Sequence, residues 1–155
     1  MRHVSSWAKV WIVTIGLMTV SGCATDNQTA PASAVAVSDP FQVKPGFKPT
    51  YQVVKRANVS TAGASRWVVR ILLPARLTRE EVEQNIRYAA KEQWGQNQPN
   101  ALSVFAYKKG SDYEGPVTAG QCDFAPYGDW GRASEKVSID QYKLVANLED
   151  SYFQR

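Results

Sequence analysis

The sequence predicts an α+β domain in which one helix packs on a mainly antiparallel sheet of about four to five strands, in the approximate order β-β-α-β-β-β. Three observations lead there. Arg66–Leu73 and Ala101–Lys108 both alternate with the period of a strand. Between them a helical pattern opens on a full capping signal at Thr78. The remaining apolar stretches are short and bounded by turn residues, which suits further strands.

Thr50–Ala57 reads as the first strand, and Thr61-Ala62-Gly63-Ala64 as the loop that follows it. In Arg66–Leu73, Trp67, Val69, Ile71 and Leu73 share one side, and Val68, Arg70 and Leu72 the other. Both sides carry apolar residues, so this strand belongs inside the sheet or has much of its second face covered. Pro74 ends it by removing a backbone donor.

The helix is expected over residues 79–94. Thr78 is the N-cap and Glu81, three residues on, completes a capping box. Leu77 and Val82 are spaced as a hydrophobic staple, and Glu83 and Arg87 as an i,i+4 ion pair. Val82, Ile86, Ala89, Ala90 and Gln93 form the buried face, and Gly95 is the expected stop. Glu80 and Glu81 are explained by the positive end of the helix better than by a paired-carboxylate site.

In Ala101–Lys108, Leu102, Val104 and Ala106 oppose Ser103, Phe105 and Tyr107. Lys109-Gly110-Ser111-Asp112 is a turn. Residues 117–125 are expected as another strand, carrying Cys122 and Phe124. Lys136–Asp140 and Tyr142–Asn147 supply the last strand or strands.

The start of the chain has a different character. Arg2 and Lys9 precede an apolar run from Val10 to Val20, too short for a comfortable membrane span of roughly 20 residues. This is the pattern of a secretory signal. It ends in Val20-Ser21-Gly22-Cys23, which resembles the lipobox of bacterial lipoproteins, with Val where Leu is commoner. The resemblance implies a signal peptide at residues 1–22, cleaved before Cys23. It also implies a diacylglyceryl group on the Cys23 thiol and further acylation, such as palmitate, on the new amine. Several acyl chains anchor firmly, at about 0.8 kcal/mol per buried methylene. Ala24 follows the cysteine, and in Gram-negative lipoproteins that pattern goes with the outer membrane, facing the periplasm. The expected partner of Cys23 is therefore a lipid bilayer.

Residues 23–49 are expected as the lipidated cysteine and a flexible linker, punctuated by Pro31, Pro40 and Pro45. Phe41, Val43 and Phe47 are the residues in it able to dock on the domain. The domain is expected over residues 50–155. Segments Arg66–Pro74, Ala101–Lys108 and Ala125–Trp130 resemble those of small envelope lipoproteins of uncharacterised function. That resemblance implies an envelope location and no chemistry.

Several function classes are disfavoured. The net charge of +4 loses two units when Arg2 and Lys9 leave, which weakens any case for nucleic acid. His3, the one histidine, leaves as well, and no cofactor or metal is expected. With Cys23 acylated, Cys122 has no disulfide partner in its own chain and reads as a small buried hydrophobe. Phosphate-loop and nucleophile-elbow motifs are missing. Asp123, Asp129 and Glu135 are the weak candidates for acid chemistry, so the chain is not expected to be an enzyme.

The segment Ala-Pro-Tyr-Gly-Asp-Trp-Gly at residues 125–131 concentrates aromatics in a turn shaped by Pro126 and Gly128. Tyr127, Trp130 and Arg132, with Asp129, are the candidate partner-binding residues; the competing reading folds them inward to close the sheet edge. The expected function is a non-catalytic binding module for a protein or cell-wall partner. The alternatives are a structural accessory subunit of an envelope assembly, acting through a sheet edge or helix face, or an inhibitor or immunity-type lipoprotein.

Overall fold

The computed structural model describes residues 39–154, so the expected signal peptide, Cys23 and most of the linker lie outside the described residues. Within them the chain is one α+β unit. Strands β1 (Gln52–Asn58) and β2 (Arg66–Leu73) precede helix α1 (Arg79–Asn97). Strands β3 (Ala101–Lys108), β4 (Gly120–Pro126) and β5 (Tyr142–Leu148) follow it. The sheet order is β1-β2-β3-β4-β5. Only β2 and β3 run parallel, because the helix between them carries the chain back to the starting edge. The other pairs are antiparallel.

The capping box forms as its spacing demands: Glu81 N–H donates to Thr78 Oγ1, and Thr78 N–H donates to the Glu81 carboxylate at 2.8 Å. Arg87 and Glu83 pair at 2.7 Å. The helix then passes through Gly95, which is exposed and keeps a helical backbone, and stops two residues later. Pro99 sets the stop, since the residue before a proline is pushed out of the α region. Gln98 takes the left-handed cap at φ 42° and its N–H closes on Trp94 O at 2.7 Å.

The core lies between α1 and one face of the sheet. Val69, Ile71, Leu73, Leu102, Val104, Ala106, Cys122 and Phe124 meet Val82, Ile86, Ala89 and Ala90 there. No described helix is long and apolar enough to cross a membrane. Lys136–Asp140 is not a strand. Pairing with β4 begins at Pro126↔Tyr142, and the backbone before it is satisfied by local turns such as Gln141 N–H to Ser138 O at 3.0 Å. Val137 and Ile139 alternate as strand residues do, but Ile139 faces solvent in a turn of 3-10 helix, Ile139–Gln141.

Residues 39–49, expected as linker, are part of the folded unit. Phe41 is only 3% exposed, and its ring centroid lies 4.4 Å from that of Phe124. The segment is held along α1 by polar bonds. Lys91 pairs with Asp39 at 2.7 Å, Arg87 donates to Phe41 O at 3.1 Å, and Gln84 accepts from Lys44 N–H at 2.8 Å. Asn85, fully buried, accepts from Thr50 N–H and donates to Glu81 O, both at 2.8 Å. Burial pushes the Asp39 carboxyl up, but the Lys91 ammonium and the Phe41 N–H outweigh it and hold it below its ordinary value.

Candidate functional site

Four residues were expected at a recognition site, and the fold divides them. Trp130 is half-buried. It packs over Ala64, Ala101, Ala125 and Ala133, a small cluster on the sheet face opposite the helix. Four alanines there leave a flat floor on which one indole fits. Asp129 is exposed but serves the backbone: its carboxylate accepts from Gly131 N–H at 2.8 Å and opens the 3-10 turn Trp130–Arg132.

Tyr127 and Arg132 face outward together. The Arg132 guanidinium lies 3.9 Å from the centroid of the Tyr127 ring, a cation–π stack. Glu135 grips the same guanidinium with both oxygens, at 2.6 and 2.8 Å. That bond holds the Glu135 carboxyl below its usual range. The Tyr127 hydroxyl donates to Gln141 Oε1 at 3.0 Å, and Tyr127 N–H donates to Gln141 O at 2.8 Å. Gln141 was not legible as part of this site, because only the β4–β5 pairing brings it beside Tyr127.

The backbone under Tyr127 is unusual. Gly128 takes φ 79°, as its place after Pro-Tyr suggests, but Tyr127 itself takes φ 57°. A left-handed conformation costs a non-glycine residue about 1 kcal/mol or more. Tyr127 nevertheless stays 37% exposed. The chain thus holds an aromatic residue in a costly conformation while leaving much of it in water.

The carboxylates weighed for acid chemistry have separate roles. Asp123 on β4 accepts from the hydroxyl of Ser103 on β3, Asp129 caps a turn, and Glu135 holds Arg132. No metal-holding group of three or more His, Cys, Asp or Glu exists among the described residues. Cys122 is 0% exposed, in the helix-side core. Burial pushes its thiol up to about 12, so it stays a neutral thiol at physiological pH. A maleimide probe should leave Cys122 unlabelled in the native protein and label it stoichiometrically in denaturant. Rapid native labelling, read by mass spectrometry, would show a local opening of β4.

No family model, curated protein or solved structure matches the chain.

Proposed function

We propose that the chain is a membrane-anchored envelope lipoprotein whose folded unit is a non-catalytic binding module for a protein or cell-wall partner. The anchor reading rests on Val20-Ser21-Gly22-Cys23 at the end of a short apolar run. The binding reading rests on one observation: Tyr127 is held at positive φ with its ring exposed and stacked by Arg132. Strain of that kind gathers where a chain presents side chains to a ligand. Tyr and Arg are also the residue types that carry binding energy at protein interfaces. Trp130 is half-buried against the alanine floor, which favours a packing role for it.

The test is a crosslinking pull-down of the acylated chain from its own membrane. The double substitution Tyr127→Ala/Arg132→Ala should lose the partner while the melting temperature stays within about 5 °C of wild type. Trp130→Ala should instead cost about 2 kcal/mol, on the order of 10 °C, by emptying the alanine floor. Undiminished capture by the double variant would overturn the binding reading. An unmodified peptide spanning residue 23 would overturn the anchor.

A further inference from the structure

The sheet has two free edges of different kinds. At β1, the register shifts between Val53 and Lys55, and Lys55 and Arg56 are exposed on the strand. A bulge and charges are the usual protection of an edge. At β5 the register with β4 is unbroken from Gly120↔Leu148 to Pro126↔Tyr142, and the strand carries one charged residue, Lys143. The ladder is closed at its ends by Tyr127 N–H to Gln141 O and Glu149 N–H to Ala119 O. Odd-numbered residues of β5 therefore exchange their bonds with β4, and even-numbered ones direct theirs outward. Tyr142 N–H is already taken by Ile139 O. Among the described residues, nothing pairs with the outward backbone groups of Leu144, Ala146 and Leu148.

We propose that the β5 edge binds β5 of a second copy of this chain, antiparallel about a two-fold axis at Ala146. In that register Ala146 faces Ala146 of the second copy, and Leu144 faces its Leu148. The three residues with free backbone groups thus pair among themselves, and each pair exchanges both its bonds. Shifting the centre toward Tyr142 would use its occupied N–H. Shifting it toward Glu149 would run into the 3-10 turn Asp150–Tyr152.

The side chains select the same register. Lys143 and Glu149 are both exposed, and neither makes an ion pair among the described residues. With Ala146 at the axis, Lys143 of each copy faces Glu149 of the other, on the sheet face away from α1. Val145, 43% exposed, faces Asn147. Opposite charges directly across a strand pair attract, and no like charges meet within the paired span. The two-fold axis stands perpendicular to the sheet, so both helices lie on one side of the joined sheet. The docked segments of residues 39–49 lie along those helices, so in the pair both segments lie on the same side of the joined sheet.

Sedimentation of the full acylated chain in density-matched detergent tests this. Wild type should give the mass of two chains at micromolar concentration. Lys143→Glu and Glu149→Lys should each raise the dimer dissociation constant about tenfold, since each opposes like charges at both ends of the pairing. The double swap should restore the wild-type value. Unchanged melting at dilutions where wild type is monomeric shows that the exposed swaps leave the fold intact. A single-chain mass for wild type, single swaps without effect, or a double swap that fails to restore would each overturn the proposal. Neither residue belongs to the Tyr127–Arg132 stack, so loss of dimer with partner capture retained separates this proposal from the binding reading.

Discussion

Phe41→Ala is expected to lower the stability of the folded unit by about 3–5 kcal/mol, the cost of emptying a fully buried aromatic site. The residue lies in a stretch whose composition reads as tether. Yet its ring sits among Phe124 at 4.4 Å and Trp94 at 5.9 Å, and those two stand edge-to-face at 5.7 Å. Removing it opens the centre of that cluster. It also frees the segment to detach, because the bonds from Gln84, Asn85 and Arg87 to its backbone, and from Lys91 to the Asp39 carboxylate, hold a segment that Phe41 pins in place. Equilibrium unfolding in urea measures the loss, and hydrogen exchange at the Lys44 and Thr50 amides shows the detachment. Phe47→Ala is the control. Its half-buried ring meets Tyr88 at 6.3 Å, outside the core cluster, and its loss should cost about 1 kcal/mol. A Phe41→Ala cost below about 0.5 kcal/mol would mean that residues 39–49 only tether the domain.

The contrast between Phe41 and Thr78 explains what the sequence made legible. Thr78 and Glu81 decide their geometry within one helical turn, so their spacing was enough to predict the capping box. The alternation of β2 and β3 is local too, and a helix between two strands favours the parallel crossover they make. Phe41 could be named from the sequence as able to dock, and it does, but its partners Trp94 and Phe124 are remote in sequence and no local pattern announces which residues it meets. Gly95 and Pro99 competed to end α1. Glycine weakens a helix by about 1 kcal/mol without forbidding it, while proline restricts the residue before it, so the later signal prevailed. At the candidate site, the composition of residues 125–132 singled out one segment as a candidate. It could not divide that segment. Trp130 packs down on one side because Ala64, Ala101, Ala125 and Ala133 converge beneath it, and that convergence arises from the fold.

Gly120→Ala should be among the costliest single-methyl changes in the protein, at about 3 kcal/mol, or on the order of 10 °C in melting temperature. The sequence directs attention to Gly128 instead, which sits in a recognisable turn. A methyl at Gly128 would meet Val145 Cγ2 at 2.7 Å, but Val145 is exposed and can turn aside. What remains is the left-handed φ of 79°, worth about 1 kcal/mol. A methyl at Gly120 would meet the backbone oxygen of Asn147 at 2.8 Å and Leu148 Cδ2 at 2.9 Å, with Ile86 Cδ1 of α1 at 3.2 Å. The carbonyl cannot move aside alone. It belongs to β5, which is paired with β4 through Leu148↔Gly120 and tied just beyond by Glu149 N–H to Ala119 O. Relief therefore requires β5 to shift or α1 to lift from the sheet, and both reach the core. Thermal unfolding of the two variants side by side decides the matter. Gly128→Ala as the more damaging change would mean that turn strain outweighs the squeeze between β4, β5 and α1. Gly120→Ala as the more damaging one would identify that squeeze as what holds β5, and its free edge, in place.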